Sequence, residues 1–172
     1  MNGQNIAAPF ARTARREDAA EIARIYNEGI EDRTATFETE LRTARDVLRW
    51  FDEERTMIVV EADGHVRAFA GAFSYRPRAC YNGVREFSVY VSRDARGKKL
   101  GRVALEALIS AARARGDWKL LSRVFPENKQ SLSLLASLGF REVGTYVRHA
   151  KLDGKWRDVV IVEKLIDEEG AR

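Results

Sequence analysis

Residues 86–102 read EFSVYVSRDARGKKLGR. An alternating apolar strand runs into a short polar turn, and Arg-Gly-Lys-Lys-Leu-Gly then opens a helix. A helix entrance bares several unpaired backbone N–H groups and the positive end of its dipole. Glycine at 97 and 101 lets a large anion approach those donors without meeting a Cβ. Arg96, Lys98, Lys99 and Arg102 surround the same point with positive charge, and Leu100 starts the helix between them. The expectation is a phosphate-bearing ligand gripped by the stretch Arg96–Arg102. The spacing fits neither the mononucleotide P-loop nor the dinucleotide Gly-x-Gly-x-x-Gly turn. A capped turn with solvated cations is the plainer alternative.

Upstream, PFARTAR at 9–15 is a first strand, followed by an acidic helix start at Glu17 and Asp18 with Ile22, Ile25, Tyr26 and Ile30 at helical spacing. TATFET at 34–39 is extended and loop-like. Thr43 and Asp46 form a capping-box pattern ahead of Val47, Leu48, Trp50 and Phe51. MIVVEA (57–62), the Asp63-Gly64 turn and VRAFAGAFSY (66–75) make a hairpin that Pro77 stops, and Arg85–Val91 is the next strand.

Downstream, Leu100–Ala114 is an amphipathic helix with Val103, Leu105, Leu108 and Ile109 inward, closed by Gly116. WKLLSRVF (118–125) is strand-like, Pro126 breaks the ladder, and Glu127 or Asn128 begins a short helix ended by Gly139. FREVGTYVRHAKL and KWRDVVIVEKL flank an Asp153-Gly154 turn as a terminal hairpin. The order is β-α-α-β-β-β-α-β-α-β-β. It predicts an α/β fold with a mixed, mostly antiparallel central sheet and helices on both faces. One domain over 9–166 is expected, with flexible ends at 1–8 and from Asp167.

At 172 residues the chain is long enough for a core without staples. Cys80 is the only cysteine, which excludes an intrachain disulfide and points to a reducing cytoplasm. No apolar run approaches a membrane span, and MNGQNIAAPFAR lacks a signal-peptide core. Lys and Arg number 30 against 26 acidic residues, interspersed rather than blocked, so an anionic ligand is favoured over nucleic acid. Two histidines and one cysteine, widely separated, make no metal cluster.

The turn resembles motif A of the Gcn5-related N-acetyltransferases, an Arg/Gln-x-x-Gly-x-Gly/Ala pattern that holds the pyrophosphate of acetyl-CoA. Arg96 and Gly101 match its ends, and Lys99 stands where glycine is usual. The resemblance spans nearly the whole chain. It is closest to the amino-acid-analogue group that includes phosphinothricin, methionine sulfoximine and arsinothricin N-acetyltransferases. The residues carrying it are IYNEGIEDRTATFET (25–39), YRPR (75–78), EFSVYVSRDARGKKLG (86–101), FPENKQS (125–131) and LGFREVG followed by DGKWRDV.

Acetyl transfer needs a neutral amine, a place for the acyl carbonyl and a proton for the leaving thiolate. Strand alternation puts Glu86, Ser88 and Tyr90 on one face. The resemblance implies Glu86 as base, beside substrate; a sheet-edge glutamate paired with Arg85 or a cross-strand cation is the alternative. It also implies that the strand holding Val89, Tyr90 and Val91 splays from its neighbour to take the pantetheine arm, and that Asn128 and Ser131, at the next helix start, meet the cofactor. Asn128 is equally a helix cap. The usual place of the general acid is Leu135, which donates nothing, so Tyr90 or water must serve; Tyr90 also reads as a core aromatic.

Arg76 and Arg78 flank Pro77, where two guanidiniums suit a carboxylate, phosphinate or arsinate, or else are solvated. Phe37 and Tyr75 are candidate walls of a substrate pocket. The resemblance implies acetyl-CoA as cosubstrate, a small anionic amino acid as acceptor, no metal, and a homodimer with Arg148 and His149 near the cleft or interface. Another amine acceptor, or a CoA-binding domain without turnover, stays open.

Overall fold

The computed structural model describes residues 8–53 and 55–166. The loose ends expected at 1–8 and 167–172 lie outside the described residues, apart from Ala8. Eleven elements follow in the predicted order: β1 (Phe10–Thr13), α1 (Ala19–Glu31), α2 (Ala44–Asp52), β2 (Thr56–Ala62), β3 (His65–Ser74), β4 (Val84–Val91), α3 (Leu100–Ala114), β5 (Lys119–Val124), α4 (Lys129–Ser137), β6 (Arg141–Leu152) and β7 (Lys155–Leu165). The acidic start at Glu17 and Asp18 is a short 3-10 turn rather than the first turn of α1. Asp18 is instead held by Arg12 of β1, at 2.7 and 2.8 Å.

The strands form one seven-stranded sheet in the order β1-β2-β3-β4-β5-β7-β6. Neighbours run antiparallel except β4 and β5. That exception follows from the sequence, because a crossover through α3 returns the chain in the same direction. On one sheet face Phe87, Leu105, Leu108, Leu120, Leu135 and Phe140 pack α3 and α4 into a core. On the other, Ile22, Ile25, Val47, Val59, Phe69 and Tyr90 seat α1 and α2. The alternation within β4 decides the division, odd residues facing α3 and even ones facing α1.

Thr43 caps α2 as its pattern predicts: its hydroxyl accepts from the Asp46 N–H (3.3 Å), and the Asp46 carboxylate accepts from the Thr43 N–H (2.8 Å). TATFET forms no strand or helix. Beyond β3, Arg85 lies buried with its guanidinium on Asp117 (2.9 Å) and the Ser74 hydroxyl (2.8 Å). The alternative pairing of Glu86 with Arg85 therefore does not form.

Candidate active site

Two parallel strands that begin paired and then separate create the site. The β4–β5 ladder spans only Val84↔Lys119, Arg85↔Leu120 and Glu86↔Leu121. Meanwhile β3 follows β4 to Ala68↔Val91. Gly83 starts the ladder, its carbonyl accepting from the Trp118 and Lys119 amides. Backbone groups of alternate residues point the same way along a strand. The Phe87 carbonyl faces β5, where the Ser122 hydroxyl donates to it. The Ser92 N–H faces β3, donating to the Arg67 carbonyl. Val89 and Val91 therefore open toward the gap, whereas the Tyr90 backbone belongs to the β3 ladder. Pro126 lies beyond the end of β5, so the separation precedes it and does not depend on its missing N–H.

A groove of about 550 Å³ enters this gap past the entrance of α3. Its walls include Val89, Val91, Arg96, Gly97, Lys99, Leu100, Gly101 and Arg102. Gly97 (φ 77°) and Lys99 (φ 62°) both take the left-handed conformation just ahead of the α3 entrance. The Arg102 and Val103 N–H groups already bond the Lys99 carbonyl, at 3.0 and 3.3 Å. The donors left for an anion are those ahead of them, at Leu100, Gly101 and the loop.

The two glycines differ in purpose. A Cβ at 97 meets nothing within 4 Å, so the loop there is open to a ligand; a Cβ at 101 would stand 3.2 Å from the Leu134 side chain, so Gly101 serves helix packing. Of the expected set, Lys98 does not line the groove; it lines an adjoining hollow with Pro9, Asp63, Arg67 and Asp94 that shares Ala95 and Leu100 with the groove. Arg96 lies in the groove wall but is tied to Asp32 at 2.6 Å. Burial works against the Asp32 carboxylate, yet Arg93 and Arg96 outweigh it and hold its pKa below the usual range. Arg102 reaches the Ser137 hydroxyl (2.6 Å) and Glu106 (3.0 Å).

A second cavity, of about 320 Å³, holds Glu86 with Phe37, Phe73, Ser88, Arg123, Phe125 and Leu135. It meets the groove at Ala35, Val89, Tyr90, Asn128 and Ser131, which line both. Asn128 both caps α4, accepting from the Ser131 N–H at 3.1 Å, and donates to the Thr34 carbonyl at 3.3 Å. That second bond pins the TATFET loop over the junction. Phe37 packs edge-on against Phe125 at 4.9 Å, as a cavity wall.

Glu86 is half-buried and forms an ion pair with Arg123, a cross-strand cation that the strand reading of 118–125 did not single out. Burial raises the Glu86 pKa; the charge and hydrogen bond of Arg123, and the charge of Arg76, pull it partly back. Tyr90 is buried between Phe69 (stacked, 5.3 Å) and Tyr26 (edge-on, 5.0 Å). Burial pushes its phenol well above the ordinary value. Leu135 is core.

The structure does not bring the whole YRPR segment to Glu86. Tyr75, Arg76 and Arg78 line a separate open hollow with Pro77 and Asn82. Tyr75 stacks edge-on with Tyr81 at 5.6 Å, and Arg76 lies over the Tyr75 ring at 5.1 Å. Only Arg76 is close enough for its charge to act on Glu86. Arg148 sits in a bulge of β6 at φ 49°, its N–H on Asp158 (2.7 Å), and His149 lies against Tyr146 at 5.0 Å. Among the described residues there is no grouping of His, Cys, Asp and Glu able to hold a metal ion, and no helix long and apolar enough to cross a membrane.

Residues 22–140 match the model of the acetyltransferase (GNAT) family. The chain belongs to that family. It is 33% identical to the L-amino acid N-acyltransferase MnaT of Escherichia coli (strain K12), over 91% of this chain and 94% of that one. It is also 33% identical to the phosphinothricin N-acetyltransferase of Alcaligenes faecalis, over 89% of this chain and 80% of the relative. The solved structure of YncA from Salmonella typhimurium, with its cofactor acetyl-CoA, superposes with a TM-score of 0.90 at 27% identity, covering 96% and 98% of the two chains. This GNAT protein is thus an acetyl-CoA-dependent N-acetyltransferase, and the open amides and left-handed loop of its groove fit the donor's pyrophosphate.

Proposed function

We propose that residues 9–166 form one catalytic domain that acetylates the α-amine of a small anionic amino acid, of the phosphinothricin, methionine sulfoximine or arsinothricin type, and so detoxifies it. The observation that carries this reading is the shared wall at Ala35, Val89, Tyr90, Asn128 and Ser131, through which the donor groove opens onto a carboxylate-bearing cavity. Acetyl-CoA supplies the activated acyl carbon. This chain's residues supply the rest.

Amides near Gly97–Gly101 and the Lys99 ammonium hold the phosphates, while the Val89 and Val91 backbone edges in the gap pair with the pantetheine arm. The Val89 N–H is placed to stabilise negative charge developing on the acyl oxygen. Glu86 takes the proton from the substrate ammonium, leaving a free lone pair for attack. Tyr90, which lines both groove and cavity, offers its phenol proton to the departing sulfur. The cations Arg123 and Arg76 around Glu86 favour an anionic acceptor over a polyamine. Acetylation removes the amine's charge, and with it the amino-acid mimicry.

The exposed β6 face, with Val143, Tyr146 and Val147 half or more accessible, supports a homodimer through this strand. The direct test is thiol release from acetyl-CoA with phosphinothricin, methionine sulfoximine and arsinothricin. Turnover of at least one is expected; turnover of polyamines or peptide amines alone would overturn the reading.

A further inference from the structure

Arg123 is not where a strand residue needs a cation. The register pairs Glu86 with Leu121 across the parallel ladder, so Lys119, Leu121 and Arg123 share the face of Glu86 while Leu120 and Val124 enter the α3 core. Arg123 stands just past the last paired step, where β5 has begun to leave β4, and it leans back to meet Glu86. Both side chains line the acceptor cavity. An ion pair with 13% of the acid's side chain and 36% of the arginine's still accessible is desolvated enough to matter and open enough to be exchanged.

We propose that Arg123 and Glu86 together form the recognition site for the zwitterionic head of a free α-amino acid. This assignment rests on the amino-acid reading above and deepens it. In an α-amino acid the ammonium and carboxylate are joined through a single carbon, so the head group is itself a compact ion pair. Laid head-to-tail on the protein's pair, its ammonium takes Glu86 and its carboxylate takes the Arg123 guanidinium. Each internal charge contact is replaced by one of the same kind, so neither protein charge is left uncompensated when the substrate enters. The exchange also frees Glu86 from Arg123 at the moment it must accept a proton. An amine lacking the α-carboxylate breaks the pair without replacing it, which builds discrimination into the site.

The test compares kcat/KM for phosphinothricin and for its α-carboxamide, in wild-type protein and in Arg123→Gln and Arg123→Lys. Wild type is expected to favour the free acid by about 100-fold, the range set by a hydrogen bond to a charged group. Arg123→Gln is expected to bring the two acceptors within about threefold, chiefly by raising KM for the acid, with KM for acetyl-CoA unchanged. Arg123→Lys keeps the charge without the fork and should recover part of the preference. A ratio unchanged in Arg123→Gln, or a wild-type protein that uses both acceptors equally, would overturn this assignment alone. No turnover of any free amino acid by wild type would overturn both it and the reading beneath it.

Discussion

The Ser122 hydroxyl donates to the Phe87 carbonyl at 2.8 Å, one step beyond the last backbone pairing of β4 with β5. A side chain thus stands in for a missing ladder bond at the place where the sheet opens. Ser122 is buried, so its removal leaves that carbonyl without a partner. Ser122→Ala should lose about 1–2 kcal/mol of stability, read from the urea midpoint at unchanged slope. An unchanged midpoint would mean that water satisfies the carbonyl and that the hydroxyl does not define the gap.

Glu86 titrates in a direction that limits the enzyme at low pH. Burial raises its pKa, and a base works only when ionised, so kcat/KM should fall with acid through a limb above the ordinary glutamate range. The acceptor binds as its ammonium, so kcat/KM should level off above that limb and fall again once the free amine loses its proton in bulk. Glu86→Gln should lower kcat by about 10²- to 10⁴-fold with CoA affinity intact by calorimetry. In Arg123→Gln the larger of the two influences that lower the Glu86 pKa is gone, leaving only Arg76, and the acid limb should move to higher pH. A limb that stays in place would assign the titration to another group.

Lys99 adopts a left-handed backbone at φ 62°, ψ 12° as the residue before α3. For a residue with a Cβ that conformation costs about 1–2 kcal/mol, and glycine removes the cost. Lys99→Gly should therefore raise the melting temperature. It also deletes an ammonium from the donor groove, so KM for acetyl-CoA should rise several-fold, and more steeply at low ionic strength. A more stable protein with an unchanged KM would show that the amides alone hold the phosphates.

Much of this was legible in the chain. The alternation of EFSVYV, the glycine-basic turn and the amphipathic helix after it gave β4, the left-handed turn and α3, and the cap at Thr43 followed from two residues. What escaped was cross-strand placement. Arg123 lies on the face of Glu86 only because of one register, and sequence parity within β5 does not say which β4 residue it meets. Sequence likewise did not tell that Lys99 lines the groove while Lys98 lines the adjoining hollow. Tyr75 and Arg78 were expected at the acceptor because a strand end was read as straight, whereas the chain turns at Arg76–Arg78 into a short 3-10 turn and carries them to another hollow.

Gly29 is the other residue whose reason appears only in three dimensions. It sits inside α1, where glycine is unfavourable by about 1 kcal/mol relative to alanine. A Cβ there would stand 2.7 Å from the Tyr90 ring. That ring is wedged against Phe69 and Tyr26, so it has little room to retreat. Gly29→Ala gains helix propensity but overpacks the cluster, an effect of about 1–3 kcal/mol, and should be destabilising on balance. Tyr90 also lines the junction between donor groove and acceptor cavity, so kcat should drop along with the melting temperature. Gly29→Ala combined with Tyr90→Leu, whose shorter side chain yields the space, should recover stability but not turnover. Full activity in Gly29→Ala would show that the ring yields freely and that its position does not matter to acyl transfer.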